Sequence, residues 1–173
     1  MKLDDKYKAV LQILAGIAIA ALIFAFSDKI AELQEYGYIG VFFVSMFSAA
    51  TIFIHAPDWA VVITMGGILN PYLVGIVAGI GSGIGEITGY LVGSGARELS
   101  DTKLGKYRDF IKKYGVAAVF VLAFIPNPLF DVAGLVAGAL NIRIWKFIIA
   151  CILGRTLRYI LLAYFGAWAL AQF

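Results

Sequence analysis

The sequence predicts an all-α polytopic membrane protein with an inverted repeat: about three spanning helices, a cytoplasmic amphipathic helix and two opposed re-entrant helical hairpins. Three observations carry this expectation. Hydrophobic residues fill 62% of the 173 positions and charged residues only 14%, against roughly a quarter charged in an ordinary soluble domain. The apolar positions gather into runs about as long as a bilayer is thick. Prolines interrupt two of these runs, Pro57 in the first half and Pro126 with Pro128 in the second. No water-soluble fold of this length hides so much apolar side chain, and the length allows one compact membrane domain.

The first run, Ala9–Phe26, holds one polar residue, Gln12, over 18 positions. At about 1.5 Å per residue it approaches the roughly 30 Å of a hydrocarbon core, so it reads as a spanning helix. Lys2, Lys6 and Lys8 precede it as in a signal peptide, but no small-residue cleavage pattern follows Phe26. Residues 1–35 are therefore expected to form a retained anchor helix and an acidic connector. The remainder, 36–173, reads as one membrane domain. Its expected parts are a hairpin over 36–70, a spanning helix over 71–93, an amphipathic helix over 97–113, a second hairpin over 114–140 and a spanning helix over 142–170.

Charge placement decides between hairpins and full crossings. The segment 97–113 carries Arg97, Lys103, Lys106, Arg108, Lys112 and Lys113, and the positive-inside rule puts it and the N-terminus in the cytoplasm. If residues 38–69 crossed completely, the next crossing would leave this basic cluster outside. The conflict disappears if they dip in from the outer face and return, broken at Ala56-Pro57. The returning arm, Trp59–Leu69, is too short at 11 residues to span. Residues 116–140 form the matching hairpin from the cytoplasmic side, broken at Pro126-Asn127-Pro128, because proline removes a backbone donor and disfavours helix in the residue before it. Broken backbone at membrane depth is tolerated only where protein buries it or water reaches it, so each break marks a candidate cavity.

A repeat agrees with this layout. Tyr36-Gly37, Pro57-Asp58, Gly67, Asn70 and Gly83 are echoed by Tyr114-Gly115, Pro126 with Asp131, Gly138, Asn141 and Gly154. Two such units entering from opposite faces are the arrangement of many secondary transporters. Between them, glycines at 75, 79 and 83 and at 81, 85, 89 and 93 form two series of spacing four. Gly75, Gly79, Gly83, Gly85 and Gly89 read as a close-packing face rather than a hinge. In 97–114, Leu99, Leu104, Tyr107, Phe110 and Ile111 alternate with charges, as in a helix lying on anionic headgroups.

Asp58, Glu86, Asp131, Arg155 and Arg158 fall inside apolar segments, with His55 at the first break and Asn127 at the second. A lone charge at that depth costs at least a few kcal/mol, so each is expected to face the protein interior or a wet cavity. Arg155 and Arg158 share a helix face, as do Glu86 and Tyr90, and either arginine could pair with Glu86. Such a pair could hold helices together or act in transport, and the spacing leaves both open. Asp58 after Pro57 and Asn127 before Pro128 sit where half-helices begin, so they could cap them or flank an anion at their positive ends. Carboxylates would oppose an anion, which makes them proton-relay or gate candidates; His55, able to titrate near neutral pH, ranks last. Cys151 is alone, and no disulfide framework, metal spacing, phosphate loop or nucleophile elbow appears, so no enzyme, metal or cofactor is expected.

The decapeptide Ile125-Pro126-Asn127-Pro128-Leu129-Phe130-Asp131-Val132-Ala133-Gly134, followed by Gly138 and Gly154-Arg155, resembles the second hairpin of the DedA family. This is also called the SNARE-associated or VTT domain family, and the likeness is strongest to its eukaryotic vacuole membrane protein branch. Pro57-Asp58, Gly66-Gly67 and Gly85-Glu86 with Gly89-Tyr90 and Gly93 resemble its first half. The resemblance covers about residues 36 to 168 and implies two facing re-entrant hairpins, with lipid scrambling or polyprenyl-phosphate recycling as the activity and proton coupling in some bacterial members. Where many bacterial members carry arginines near the second-hairpin proline, this chain has Ala123 and Leu129. That departure counts against a phosphate grip built from those arginines.

The expected function is a lipid scramblase or headgroup translocator moving phospholipid between leaflets along a polar path between the hairpins. The alternatives are a proton-coupled transporter or flippase of polyprenyl phosphate or a small solute, and a membrane scaffold without transport. Expected partners are membrane phospholipid or another lipid, protons if transport is coupled, and a second copy of the chain if it self-associates; no nucleic acid is expected. The lack of long extramembrane domains leans toward a multi-pass protein of a prokaryotic cell membrane.

Overall fold

Two Tyr-Gly pairs open two helices in the same way. In the computed structural model, which describes residues 14, 36–51, 58–99, 105–125 and 130–172, Gly37 has φ 65 and ψ −131 and Gly115 has φ 56 and ψ −127. This backbone conformation is close to glycine-only. A β-carbon on Gly115 would meet nothing within 4 Å, so conformation rather than space requires glycine there. The helices that follow are α1 (Tyr38–Ala50) and α6 (Val116–Phe124). The others described are α2 (Asp58–Ile68), α3 (Pro71–Gly85), α4 (Ile87–Leu99), α5 (Gly105–Tyr114), α7 (Phe130–Ala139) and α8 (Ile144–Leu170). No strand occurs among the described residues. The expected anchor helix over 9–26 lies outside them apart from residue 14, as do His55, Pro57, Pro126, Asn127 and Pro128.

Asn70 caps α3 by accepting from the amides of Tyr72 at 3.0 Å and Leu73 at 3.3 Å, with Pro71 in the first turn, where a missing amide donor costs nothing. At the end of α3, Glu86 N–H donates to Ser82 O at 3.2 Å and Tyr90 N–H to Glu86 O at 3.1 Å. The helical ladder thus passes through the junction with α4. Among the described residues two stretches are long and apolar enough to cross a membrane, Pro71–Gly95 with 25 residues and Ile144–Leu170 with 27. Along α8 the exposed residues Trp145, Ile149, Leu153, Leu157 and Leu161 recur every four positions, an apolar stripe suited to lipid. Exposed Trp145 and Trp168 stand at its ends. Their separation is about 35 Å along the axis, close to the thickness of a bilayer's hydrocarbon core.

Glycines set how the helices meet. Gly75, Gly79 and Gly83 of α3 face Ile160, Thr156 and Ile152 of α8, so these helices run antiparallel. A β-carbon would collide with the partner's backbone at Gly75 and Gly79 and with the Ile152 side chain at Gly83, and such close approach is how helices associate where lipid weakens the hydrophobic drive. Gly81 and Gly85 on another side of α3 face Phe42 and Met46, so α1 runs parallel to α3. Asp58, Ile63 and Gly67 of α2 meet Tyr159, Gly166 and Leu170, so α2 follows the second half of α8 and opposes α1. The loop between α2 and α3 returns to the start of α1, where Asn70 N–H donates to Tyr38 OH at 3.1 Å.

The second half packs in a corresponding way. Gly154 of α8 meets Phe120, Ala123 and Phe124 of α6. Gly134 and Gly138 of α7 lie against residues 86–94 in the same chain direction, with Gly89 beside Gly134. One apolar core gathers Val41, Val62, Val74 and Tyr159, and the other gathers Tyr90, Ile111, Val119, Val136 and Phe147. Ile111 belongs to that second core at 1% exposure while Lys112 and Lys113 are exposed. Part of the apolar side of α5 is therefore taken by protein rather than lipid. Residues 97–99 complete α4, and the described amphipathic helix begins at Gly105.

Candidate functional site

Between the two cores lies a buried set of polar side chains, built from pairs one helical turn apart. On α8 these are Arg155 and Tyr159; at the end of α3 they are Ser82 and Glu86. Residues four apart share a helix face, and the antiparallel packing of α3 on α8 turns both faces toward each other. Arg155 Nη2 pairs with Glu86 Oε1, and Nη1 donates to Ser82 Oγ and, at 3.3 Å, to Tyr159 OH. Tyr159 in turn donates to Oδ2 of Asp58, the first residue of α2, and lies 3.3 Å from Ser82 Oγ. The result is a continuous hydrogen-bonded chain from Asp58 through Tyr159 and Arg155 to Glu86. Asp58, Ser82, Glu86, Arg155 and Tyr159 are each at most 5% exposed.

Depth follows from position. Arg155 and Tyr159 lie near the middle of the 27-residue α8, and Glu86 lies near the middle of the run Pro71–Leu99. Arg155 and Tyr159 are thus far from the tryptophans at the two ends of α8. A β-carbon on Gly134 would stand 3.1 Å from Glu86 Oε2, so α7 closes over the carboxylate and glycine leaves room for it. Four structural parts, α2, the α3–α4 run, α7 and α8, thus converge at one level. Burial there is tolerable because the charges are paired and hydrogen-bonded.

Of the residues expected from sequence, Asp58, Glu86 and Arg155 are brought together. Arg158 stays outside the hydrogen-bonded chain: it is half-buried, with its guanidinium carbon 5.0 Å from the centroid of the Tyr159 ring. Asp131 lies in α7, its side chain beyond the described set, and His55 and Asn127 are likewise beyond it. Tyr90 shares a face with Glu86 but serves elsewhere. Its hydroxyl donates to Ile142 O at 2.5 Å and its ring lies 5.3 Å from Phe147, tying α4 to the start of α8. Sequence reasoning missed Tyr159 and Ser82, although each stands four residues from a charge it had singled out.

Beside this level an apolar cavity of about 190 Å³ opens where α1 meets the α3–α4 junction. Met46, Phe47, Ile84, Ile87, Thr88 and Leu91 are among its lining. Among the described residues no group of His, Cys, Asp and Glu is placed to hold a metal ion.

Comparison with known proteins adds to this geometry. The VTT domain family profile matches residues 56–168. Vacuole membrane protein KMS1 of Arabidopsis thaliana is 46% identical over 39 residues, covering 22% of this chain and 9% of that protein. Vacuole membrane protein KMS2 of the same plant is 29% identical over 104 residues, covering 47% of this chain and 25% of that protein. An uncharacterised protein of Methanocaldococcus jannaschii is 27% identical over 136 residues, covering 73% of this chain and 82% of that protein. The chain spans a quarter or less of each plant relative. No solved structure matches it.

Proposed function

The chain belongs to the VTT domain, or DedA, family of membrane proteins, and from that premise we propose that it moves lipid headgroups between leaflets without an energy source. In this reading α1–α2 and α6–α7 are re-entrant hairpins of an inverted repeat, entering from opposite faces and meeting at the level of Arg155. Support comes from the opposed directions of α1 and α2, the return of Asn70 to Tyr38, and the shared Tyr-Gly start of α1 and α6. The basic segment 97–113 favours a cytoplasmic position for it and for the N-terminus, in a prokaryotic cell membrane.

The observation that carries the proposal is the chain Asp58–Tyr159–Arg155–Glu86, which ties the first residue of α2 to both long helices near their midpoints. A headgroup crossing hydrocarbon loses its hydration, and polar side chains on the path lower that cost. The apolar cavity between α1 and the α3–α4 junction suits an acyl chain that stays in the lipid while its headgroup passes. Opening the path means parting Tyr159 from Asp58, so α2 is the moving gate. The reading is of a translocator and not of an enzyme.

Purified protein in liposomes with a fluorescent lipid bleached from the outer leaflet only tests this. Exchange between leaflets with no gradient is expected, altered at least tenfold by Asp58→Asn or Tyr159→Phe in folded protein; folded parent protein that exchanges no lipid overturns it. The unbroken hydrogen-bond link between two carboxylates favours a second reading, proton-coupled transport of polyprenyl phosphate or a small solute. In that case transport requires a pH gradient. Stable partner capture with neither activity would leave the scaffold.

A further inference from the structure

Exposed cations of two separate elements meet at one end of the molecule. Gly138 of α7 lies against Tyr90 and Ser94 of α4, and Tyr90 donates to Ile142 O two residues before α8, so the ends of α4 and α7 and the start of α8 stand together. α5 reaches the same end, because its Ile111 shares a buried core with Phe147, and Val116, Leu140, Ile142 and Ile148 pack against that core. Lys112 and Lys113 directly follow Ile111, and Lys146 directly precedes Phe147. Lys112, Lys113 and Arg143 are exposed and Lys146 is half-buried. Asp109 of α5 is exposed as well, yet among the described residues no ion pair joins it or another carboxylate to these four cations. Lys113 Nζ lies 5.0 Å from the centroid of the Tyr114 ring and Lys146 Nζ 5.3 Å from that of Trp145, and both rings are exposed. Amphipathic rings beside cations suit the headgroup level of a bilayer. At the other end, residues 36–42, 66–75 and 163–172 contain no Asp, Glu, Lys or Arg.

We propose that Lys112, Lys113, Arg143 and Lys146 form a docking surface for the headgroup of an anionic phospholipid, held at the rim of the protein as a bound lipid and not as cargo. This rests on the membrane placement of the chain and is independent of translocation. Basic residues gathered between helices at the membrane surface attract anionic headgroups, and salt screens that attraction. A zwitterionic headgroup brings its own cation and gains less. The surface continues into hydrocarbon: Ile144 and Ile149, exposed on either side of Lys146 in α8, offer an apolar flank for the acyl chains of the same lipid. One headgroup shared by α5 and the start of α8 links the two elements that frame the outer ends of α6 and α7.

The test is titration of the full chain, purified in a neutral maltoside detergent, with phosphatidylglycerol or phosphatidylcholine, read by native mass spectrometry of the bound lipid and by melting temperature. Phosphatidylglycerol is expected to remain bound and to raise the melting temperature at low salt, with the gain shrinking as salt rises; phosphatidylcholine is expected to do neither. Changing all four residues to Gln is expected to weaken phosphatidylglycerol binding about tenfold or more and to leave the lipid-free melting temperature almost unchanged, because substitutions at the surface cost little. The charge-preserving set Lys112→Arg, Lys113→Arg and Lys146→Arg is expected to bind as the parent does. If the fourfold variant does not fold, Lys113→Gln with Arg143→Gln, one from each element, is expected to weaken binding several-fold. Equal phosphatidylglycerol affinity in the parent and a folded neutralised variant, or phosphatidylcholine held as tightly as phosphatidylglycerol, overturns the proposal. Phosphatidylglycerol bound through these cations by a parent that exchanges no lipid sinks translocation and spares this surface, whereas leaflet exchange by a parent that retains no phosphatidylglycerol does the reverse.

Discussion

Replacing Arg155 by Met keeps most of the side-chain volume and removes the charge. Glu86, at 1% exposure, then keeps a buried carboxylate without its guanidinium, and Ser82 and Tyr159 lose a donor. Leaving one member of a buried ion pair alone costs about 3–5 kcal/mol, whereas replacing both members by neutral groups is often close to neutral. With about 2–4 °C of melting temperature per kcal/mol for a chain of this size, Arg155→Met should melt at least ~6 °C below the parent. The double variant Glu86→Gln with Arg155→Met should recover at least half of that loss. An ordinary interhelical hydrogen bond in a membrane averages only ~0.6 kcal/mol, so Ser82→Ala should lower melting by no more than about 4 °C. The assay is thermal unfolding of detergent-purified protein followed by size-exclusion fluorescence. A single variant within ~2 °C of the parent, or a double variant no better than the worse single one, refutes the reasoning that this pair is buried and coupled.

Trp59, exposed in the first turn of α2 beside Asp58, should, if α2 is the returning arm of a re-entrant hairpin, be quenched best by lipids brominated deep in the acyl chain when it is the sole tryptophan. Trp145 or Trp168 alone should be quenched best by shallow bromines; shallow quenching of Trp59 would put the end of α2 near solvent and dismantle the hairpin reading. Gly115→Ala should lose about 1–3 kcal/mol although no atom obstructs the added carbon, because its backbone is strained for any other residue. An unchanged melting temperature would contradict that conformation. Cys151, wholly buried in the second core, should resist maleimide in folded protein and react on denaturation; rapid labelling of the native form would show that the α6–α8 packing is open.

The helical class, the two long crossing stretches and the glycine contacts were legible because they depend on local pattern. Apolar run length reports on bilayer thickness, and a spacing of four puts Gly75, Gly79 and Gly83 on one face whatever they touch. Asp58, Glu86 and Arg155 were legible for an equally simple reason: charge inside an apolar run is too costly to be left facing lipid. Tyr159 and Ser82 gave no such signal. A tyrosine or serine in a membrane helix is inexpensive, and only the partner it meets reveals its use. The partner of Tyr90 was not legible either, since a face shared with Glu86 does not reveal that its hydroxyl meets Ile142 O.

Composition and the position of charges, which act through solvation free energy alone, were enough to place this chain in a membrane and to name the charged residues Asp58, Glu86 and Arg155 buried inside it. Partner choice between Arg155 and Arg158 could not be read that way. It was decided by the antiparallel packing of α3 on α8, which brings Glu86 and Ser82 to Arg155 and leaves Arg158 on the flank. Ion pairs and hydrogen bonds fall off over a few ångströms, and distances that short between residues some seventy positions apart exist only once the helices have packed.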